Sequence, residues 1–298
     1  DFLYSIQDVN NTKPNSEIYL RCMIKVGVNP NETVIVEDSH IGRKGALSSG
    51  AYLCAVEDSS DVSYEKIQKV IDSANKKSKI RPKWQGGDMN VLIPMAGAGS
   101  RFEKMGYTFP KPLIEINGKP MIQVVVENLN IDAKHIFIVQ KEHYEIYNLK
   151  YLLNLITDNN CEIVQVDGIT EGAACTTLLA KQFIDNDEPL VMANSDQFLE
   201  WSSNEFMYSM VADDVDGGIV SFEATHPKWS FAKLGHDGFV TEVAEKKPIS
   251  NIATVGVYYW SKGSDYVKYA EQMIEKDIRT NNEFYVCPVY NQLIEEGG

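Results

Sequence analysis

Short apolar segments alternate with helical segments through the second part of the chain. The apolar segments are typical of buried β-strands, because they are rich in β-branched residues and end at turn-forming residues. They predict strands at Asn90–Pro94, His135–Gln140, Cys161–Val166, Pro189–Ala193 and Gly218–Glu223. Helical spacing between them predicts helices at Met121–Leu129, Tyr144–Leu155 and Ala174–Phe183. This alternation predicts an α/β fold with a mixed, mostly parallel sheet and helices on both of its faces.

The first part of the chain shows the same alternation on a smaller scale. We predict helices and strands there at Glu17–Val26, Thr33–Glu37, Ile41–Ser49, Tyr52–Val56 and Tyr64–Ala74. Lysines, a proline and a glycine pair interrupt the pattern over residues 75–88, which we interpret as a linker. The expected organisation is a partial α/β domain at 1–74, the linker, and a second domain at 89–298. The chain starts without a methionine and stops directly after a helical segment, so we expect both ends to continue in a longer protein.

Charge and composition exclude several classes of protein. The 28 basic and 42 acidic residues give a net charge of -14, which argues against a nucleic-acid surface because a phosphate backbone demands the opposite sign. No apolar run approaches the roughly 18 residues that span a bilayer, so we expect no membrane insertion. The five cysteines are scattered and contain no C-x-x-C pair, which favours a reducing, cytoplasmic location over a disulfide framework or a zinc site.

The stretch from Leu92 to Lys111, LIPMAGAGSRFEKMGYTFPK, runs from a predicted strand into a glycine-rich turn. Gly97 and Gly99 allow backbone N–H groups to approach phosphate oxygens without a Cβ in the way. Arg101 adds a forked donor and Lys111 a second positive charge. An ordinary strand-to-helix turn is the alternative for this loop taken alone. We predict a nucleoside triphosphate site whose phosphates contact Ala96, Gly97, Ala98, Gly99 and Ser100.

Two motifs follow this loop closely, FPKPL at 109–113 and GKPMI at 118–122. In this order the three pieces resemble the N-terminal signature of sugar-phosphate nucleotidyltransferases, and the resemblance extends over about Met89 to Gly298. It implies a Rossmann-like nucleotidyltransferase fold. It also implies transfer of a nucleoside monophosphate from an NTP to a sugar 1-phosphate, with pyrophosphate as the leaving group. Arg101, Lys111 and Asp196 would then be the catalytic residues, which align the substrates and neutralise charge.

Further motifs carry the resemblance along the chain. The segment Thr170–Ala174 resembles the part of the family whose backbone faces the nucleotide base, which implies nucleotide contacts from Gly172 and Ala173; a helix start capped by Thr170 is the alternative. Asp196 follows the predicted strand PLVMA, and the resemblance implies that it holds Mg²⁺ on the substrate phosphates. A second metal ligand of the family lies beyond the helix that ends here at Glu296, so we expect this chain to bind nucleotide but turn over poorly.

The residues expected to bind the acceptor match the pattern of the family less completely. Glu245 and Lys246 stand where the family has a glutamate for sugar hydroxyls and a lysine for the sugar phosphate, although spacing alone favours a solvated charged turn. Gly256 matches a glycine in the following strand, and Ala232 replaces a glycine that is usual in the family. The motif Asn282–Tyr285 matches a recurrent helix start, which we expect to order the fold rather than to contact substrate.

The first part of the chain resembles a different family. Lys13 precedes a helix, and the strand VIVEDS that follows places Glu37 and Asp38 before a glycine turn. Together they resemble the last two motifs of haloacid-dehalogenase-like phosphohydrolases, which implies that Lys13 steadies a phospho-aspartate and that the two carboxylates hold Mg²⁺. The Asp-x-Asp nucleophile motif of that family is not found in residues 1–12. We therefore expect residues 1–74 to have no phosphatase activity.

Two other functions remain open on the sequence. The first is a cytidylyltransferase for a small phosphorylated alcohol such as phosphocholine, whose cation would lie against aromatic residues such as Trp229 and Tyr258. The second is a non-catalytic nucleotide-binding module. The expected partners are an NTP and a phosphorylated small-molecule acceptor, with Mg²⁺ as cofactor. The sequence determines neither the base, nor the acceptor, nor the oligomeric state.

Overall fold

The computed structural model describes residues 2–77, 88–97, 109–212 and 215–297. The chain forms two compact units. The first contains residues 1–87 together with the short segments 129–132 and 199–214, and the second contains residues 88–128, 133–198 and 215–298. The chain therefore passes from one unit to the other at several points of the sequence. The boundaries expected at 74 and 89 stay a prediction.

The first unit contains two parallel strands and four helices among the described residues. Strands β1 (Val34–Glu37) and β2 (Tyr52–Ala55) pair in parallel, with Val34 opposite Tyr52. The helices are Glu17–Val26, His40–Ser48, Tyr64–Lys77 and Ser203–Ala212. The first of these ends at Gly27, whose left-handed φ of 71° lets its N–H bond back to Ile24. These elements confirm the predicted α/β character of the first part, and Tyr64–Lys77 continues three residues beyond its predicted end.

The helix Ser203–Ala212 was not predicted, and it packs with the first unit although it comes late in the sequence. Its Met207 and Tyr208 are buried, and the Tyr208 hydroxyl donates to the backbone carbonyl of Glu17. Glu17 is itself buried, and its carboxylate accepts from the backbone N–H groups of two asparagines and from Arg21. A buried charge with this many donors has its hydrogen bonds satisfied, as a stable interior requires.

The second unit is built on one sheet that contains eight strands of the described residues. Their bounds are β3 Asn90–Pro94, β6 Lys134–Gln140, β7 Cys161–Val166, β8 Leu190–Ala193, β9 Gly217–Glu223, β10 Ser230–Leu234, β11 Val240–Glu245 and β12 Ile252–Trp260. The order is β11-β10-β12-β8-β3-β6-β7, and β9 pairs with β12. Strands β8, β3, β6 and β7 are parallel, whereas β12 runs antiparallel to β8, β9 and β10. The predicted mixed α/β sheet is thereby confirmed.

A small hairpin and seven helices of the described residues complete the second unit. The hairpin strands are β4 (Glu115–Ile116) and β5 (Lys119–Pro120). The helices are Met121–Leu129, Lys141–Ile146, Leu149–Ile156, Ala173–Leu178, Lys181–Ile184, Gly263–Glu275 and Tyr290–Glu295. Among the described ranges, no helix has the length and apolar character that crossing a membrane requires.

Two of the predicted helices are wrong in the same way, because each is divided in two. The segment predicted at Tyr144–Leu155 breaks at Asn148, whose φ of 49° is left-handed and ends one helix before the next begins. Asparagine tolerates this conformation better than most residues. The segment predicted at Ala174–Phe183 breaks at Ala180, which leaves helical dihedral angles and is fully buried. Apolar spacing continued across both breaks, so the pattern did not reveal them.

The core of the second unit fixes the strand ends that matter for the site. Leu92, Ile136, Ile138 and Met192 lie in the parallel strands and are buried, with Trp260 of β12 beside them. Since β3, β6, β7 and β8 are parallel, their carboxyl ends meet at one edge of the sheet. Ligands of open α/β sheets bind at this edge.

Candidate active site

The loop after β3 begins at the carboxyl edge of the sheet, where its first residues are held in place by β6. Ala96 is buried, and its carbonyl accepts a hydrogen bond of 2.6 Å from the Gln140 side chain at the end of β6. The same amide nitrogen donates to the carbonyl of Gly168, after β7, at 2.9 Å. Gly97 is exposed, and a Cβ added to it would meet no atom within 4 Å. One side chain thus ties together two loops of the edge.

Four predicted residues of this loop, Ala98, Gly99, Ser100 and Arg101, lie outside the described residues. Their assigned contacts with the triphosphate stay predictions.

Lys111 and Asp196 form an ion pair, although they are far apart in the sequence. Asp196 follows β8 in the turn Asn194-Ser195-Asp196, and Lys111 begins a short 3-10 turn after the glycine-rich loop. The Lys111 ammonium contacts Asp196 Oδ2 directly. The two side chains are 32% and 31% exposed, so both remain open to a ligand. The structure therefore brings together a cation and a carboxylate that the sequence placed separately in the triphosphate site.

Gly256 supports the turn that carries Asp196. It lies in β12 where pairing with β9 shifts register, with a left-handed φ of 86°. Its carbonyl accepts from the Asn194 backbone N–H at 3.1 Å. A Cβ at this position would lie 2.0 Å from Asn194 Nδ2 and 3.1 Å from Gln197 Oε1. Glycine is therefore required here both by the backbone and by the close approach of this turn.

We predict that Gly256→Ala lowers both the melting temperature and nucleotide transfer. The matched control is Gly238→Ala, since Gly238 has a left-handed φ of 87° but open space around its Cβ. Each substitution should cost about 1–2 kcal/mol of unfolding free energy from backbone strain alone. Only Gly256→Ala should also displace Asn194 and so reduce turnover. Thermal denaturation and pyrophosphate release measure the two effects, and equal activity in the two variants would show that this contact does not matter.

The predicted base-facing segment is anchored to a distant segment through its backbone. Gly172 has a φ of 137°, and a Cβ on it would lie 2.4 Å from the carbonyl oxygen of Phe284. Phe284 donates its N–H to the Glu171 carbonyl and accepts from the Ala174 N–H, both at 2.9 Å. Gly172 and Ala173 thus stand at the start of a helix whose first residues are fixed by strand-like bonds to Phe284. Thr170 does not cap this helix; its hydroxyl instead lies 2.5 Å from the Thr176 hydroxyl.

Glu245 is half-buried and belongs to a cluster of polar side chains beyond the carboxyl end of β8. It ends β11 and pairs there with Ser230, whose hydroxyl donates to its carboxylate. Burial raises the pKa of Glu245, against the lowering effect of the Ser230 hydrogen bond. Tyr258 is buried close by, where its hydroxyl and that of Thr254 are 3.1 Å apart. A carboxylate in such surroundings gains from a hydroxyl donor, which is what a sugar offers.

Lys246 follows Glu245 in the chain, and its positive charge opposes the rise that burial causes in the pKa of that carboxyl. Its φ of 55° is left-handed, and its backbone N–H donates to the Trp229 carbonyl at 3.0 Å. Its ammonium contacts the Tyr285 hydroxyl and lies 4.4 Å from the centre of that ring. The two residues predicted for the acceptor thus have different hydrogen-bond partners, Ser230 for Glu245 and Tyr285 for Lys246.

The hydrolase-like motifs of the first unit are brought together only in part. The Lys13 ammonium and the Tyr19 hydroxyl donate to Glu37 Oε2 at 2.7 Å and 2.6 Å. The Ser39 hydroxyl donates to Oε1 at 2.7 Å, and a Cβ on Gly42 would lie 2.1 Å from this carboxylate. Asp38 is exposed, whereas Glu37 is buried, so the two carboxylates differ in their access to solvent.

We predict that Glu37 makes the stability of the protein sensitive to acid. Burial tends to raise its pKa, but hydrogen bonds from Lys13, Tyr19 and Ser39 prevail and lower the pKa of Glu37 from 4.5 to about 2. Because the folded value is the lower one, its stabilising effect is full above 4.5 and is lost as the pH falls towards 2. Glu37→Gln should therefore reduce the melting temperature at neutral pH and weaken its decrease in acid. The control is Glu65→Gln, since Glu65 is exposed. If the melting temperatures of the two variants depended on pH in the same way, the prediction would be contradicted.

The described residues contain no group of three His, Cys, Asp or Glu side chains arranged to hold a metal ion. Asp196 supplies one carboxylate at an open edge of the sheet. This donor fits Mg²⁺, because that ion is commonly held by one or two carboxylates and completes its shell with water and substrate phosphates.

Sequence reasoning missed three groups that the tertiary structure brings into the site. Gln140 was seen only as the last residue of a strand, although a polar residue that ends a buried strand is a recognisable signal. Gln197 lies beside Gly256, and its Oε1 is buried without a hydrogen-bond partner. Tyr285 was expected to order the fold, and it contacts Lys246.

Two family models match separate parts of the chain. Residues 90–292 match the family model described as nucleotidyl transferase, and residues 1–56 match that described as haloacid dehalogenase-like hydrolase. Relatives include the low-salt glycan biosynthesis nucleotidyltransferase Agl11 of Haloferax volcanii, 29% identical over 70% of this chain and 58% of that protein. The bifunctional protein GlmU of Methanocaldococcus jannaschii is 27% identical over 70% of this chain and 47% of that protein. The chain thus spans about half the length of these relatives.

Solved structures show the same similarity. A nucleoside-diphosphate-sugar pyrophosphorylase from Vibrio cholerae RC9 is 26% identical, with a TM-score of 0.58 over 70% of this chain and 88% of that one. A UDP-glucose pyrophosphorylase complexed with UDP-glucose has a TM-score of 0.55 over the same shares, and at 20% identity it supports the fold alone.

Proposed function

The chain belongs to the nucleotidyl transferase family, and we propose that it transfers a nucleoside monophosphate from an NTP to a sugar 1-phosphate and releases pyrophosphate. Family membership confirms the resemblance predicted from its motifs. The observation that carries the proposed reaction is the Lys111–Asp196 pair at the carboxyl edge of the sheet. The names of its relatives, a glycan biosynthesis nucleotidyltransferase and a nucleoside-diphosphate-sugar pyrophosphorylase, support a role in nucleotide-sugar synthesis.

The reaction requires alignment and positive charge more than proton transfer. A phosphate oxygen of the acceptor attacks the α-phosphorus of the NTP, and the bond to pyrophosphate breaks. Lys111 would neutralise charge on the phosphates, as fixed cations do in other phosphoryl transfers. The backbone from Ala96 would guide the triphosphate, and Gln140 keeps the start of this loop against the sheet. Glu245 and Lys246 would orient the acceptor through its hydroxyls and its phosphate.

Asp196 is the residue that would hold Mg²⁺. When bound, the ion would supply positive charge that offsets the negative charge of the substrate phosphates. The ammonium of Lys111 contacts the same carboxylate. The five free thiols agree with a reducing compartment, and we propose the cytoplasm.

The contacts of Trp229 and Tyr258 argue against the alternative in which the acceptor is phosphocholine. The face of Trp229 has Lys228 above it at 4.4 Å, and Phe222 meets the ring edge-on at 5.2 Å. A cation already occupies the site that a choline group would take. Tyr258 is buried with its hydroxyl directed at Thr254. These contacts favour a sugar phosphate as the acceptor.

We also propose that residues 1–74, as they stand, have no phosphatase activity. The Glu37 carboxylate is already satisfied by Lys13, Tyr19 and Ser39, which leaves it poorly placed to hold a metal ion. Hydrolysis of p-nitrophenyl phosphate by the purified chain, abolished in Glu37→Gln, would contradict this.

The proposed function is tested with a panel of four NTPs, each combined with several sugar 1-phosphates and with phosphocholine, in the presence of Mg²⁺. Pyrophosphate release is the readout. We expect release with one or a few sugar phosphates and none with phosphocholine. Binding of an NTP without pyrophosphate release from any pair would favour the non-catalytic alternative.

A further inference from the structure

The segment that contains Tyr285 is a rigid element, although it is neither a regular helix nor a long strand. Thr280 and Glu283 exchange two backbone hydrogen bonds of 3.0 Å across a tight turn. The two central residues, Asn281 and Asn282, have left-handed φ values of 48° and 64°. This is the geometry of a type I′ turn, for which asparagine is well suited. The pair of asparagines therefore fixes the direction in which the chain leaves towards Tyr285.

Arg279 braces the same turn from outside. Its guanidinium donates to the Asn282 carbonyl at 3.2 Å and to the Glu171 carboxylate at 2.6 Å. The guanidinium also lies 4.0 Å from the centre of the Phe284 ring. Phe284 is buried and bonds through its backbone to Glu171 and Ala174. The turn is thus fastened to the segment proposed to face the nucleotide base.

The next residue, Tyr285, faces the acceptor side. Its hydroxyl accepts from the Lys246 ammonium, which also lies over the ring. Burial raises the pKa of Tyr285, and a hydrogen bond with Glu283 raises it further against the lowering effect of Lys246. The phenol therefore remains protonated and serves Lys246 as a neutral acceptor.

An ordinary lysine side chain is a flexible cation, and ordering it costs conformational entropy. The left-handed backbone at Lys246 fixes the start of the side chain, and Tyr285 fixes its end. An ammonium has three donors, so two remain for a phosphate after the bond to Tyr285. The arrangement presents a pre-oriented cation whose hydrogen-bond partner is an uncharged phenol.

We propose that Tyr285 is a positioning residue, which holds Lys246 in place for the phosphate of the acceptor and couples that site, through Phe284, to the base-facing segment. The inference rests on the proposed nucleotidyl transfer. It assigns to the motif Asn282–Tyr285 a role in acceptor binding, where the sequence alone indicated only an ordering role.

The experiment compares Tyr285→Phe, which keeps the ring, with Tyr285→Leu, which removes both ring and hydroxyl. In pyrophosphate release with the best substrate pair of the wild-type chain, we expect the KM for the sugar 1-phosphate to rise about tenfold in Tyr285→Phe, since a hydrogen bond to a charged group is lost. Tyr285→Leu should raise it further because the cation–π contact is lost too. The KM for the NTP and kcat should change little in Tyr285→Phe. If Tyr285 served folding alone, its replacement would not raise the KM for the sugar 1-phosphate while leaving the KM for the NTP and kcat nearly unchanged.

The chain offers a matched control. Tyr269 also carries a lysine over its ring, with the Lys268 ammonium 4.5 Å from the ring centre and 3.4 Å from the hydroxyl. Tyr269→Phe should leave the KM for the acceptor unchanged. Equal kinetics for Tyr285→Phe and Tyr269→Phe in an active enzyme would overturn the inference and leave the proposed function intact.

A second readout does not depend on activity. Trace acetylation with acetic anhydride, followed by peptide mass spectrometry, measures how accessible each lysine is. In Tyr285→Phe and Tyr285→Leu we expect labelling of Lys246 to increase several-fold relative to the wild type, while labelling of Lys268 stays the same. Unchanged labelling of Lys246 in both variants would overturn the inference. If the wild-type chain releases no pyrophosphate with any pair, the proposed function fails, and labelling still decides whether Tyr285 holds Lys246.

Discussion

Replacing Lys111 with alanine should lower kcat for nucleotidyl transfer by roughly 100- to 1000-fold, the loss seen when one fixed electrostatic group is removed from a transition state. The physical reason is that charge moves onto the leaving pyrophosphate as its bond to the α-phosphorus breaks. A cation beside that charge is worth more in the transition state than in the ground state. Steady-state pyrophosphate release, measured with the substrate pair identified by the panel, gives the value.

Lys119 provides the control for this experiment. It lies on the same stretch of chain, is similarly paired with a carboxylate, that of Glu127 at 2.7 Å, and is 48% exposed. Lys119→Ala should leave kcat within the range of the wild type. Lys111→Arg should restore only part of the activity, because a planar, forked guanidinium does not place its charge as a compact ammonium does. Near-normal turnover of Lys111→Ala would show that Lys111 does not act in the reaction. The proposed reaction would then lose its main support.

Asp196→Asn should lower kcat about as much as Lys111→Ala does, but for a different physical reason. The amide retains the shape of the side chain but removes the negative charge that would hold Mg²⁺ and that now faces Lys111. We therefore expect kcat to fall by roughly 100-fold or more, and the Mg²⁺ concentration that gives half-maximal activity to increase. A titration of activity against Mg²⁺ measures both.

The matched control for Asp196 is Asp185, an exposed carboxylate whose oxygen lies 3.9 Å from the Lys181 ammonium. Asp185→Asn should change neither kcat nor the Mg²⁺ requirement. The double variant of Lys111 and Asp196 should lose much less than the product of the two single losses, because residues that act as a unit are not additive. A Mg²⁺ titration of Asp196→Asn that coincides with that of the wild type would exclude Asp196 as the metal ligand.

The strands and most helices were predictable because their signals are local. A β-branched apolar segment such as Asn90–Pro94 has the same meaning wherever it occurs, and the structure ends β3 at the predicted residues. The same holds for Cys161–Val166 and Met121–Leu129. The two divided helices differ because a single residue, Asn148 in one and Ala180 in the other, leaves the helical conformation without disturbing the apolar spacing.

Family motifs brought most of the candidate site into view, but not its contacts. Motif order placed Lys111 and Asp196 in one reaction, and it grouped Glu245 with Lys246. It did not show that Lys111 pairs with Asp196, or that Lys246 contacts Tyr285. Those pairings depend on the directions in which separate chain segments approach one another, and sequence spacing does not contain that information.

The α/β class, the direction of the strands that carry the loop, and the charged groups at the carboxyl ends of those strands could all be read from the sequence. These follow from period, turn chemistry and side-chain type, which are properties of a few neighbouring residues. Which of these groups come into contact depends instead on the three-dimensional packing of the chain. It placed Phe284 so close to Gly172 that a side chain there has no room, and Asn194 equally close to Gly256. Close approaches of this kind arise from the packing of the whole sheet, because each depends on segments that are distant in sequence and are brought into register by the core.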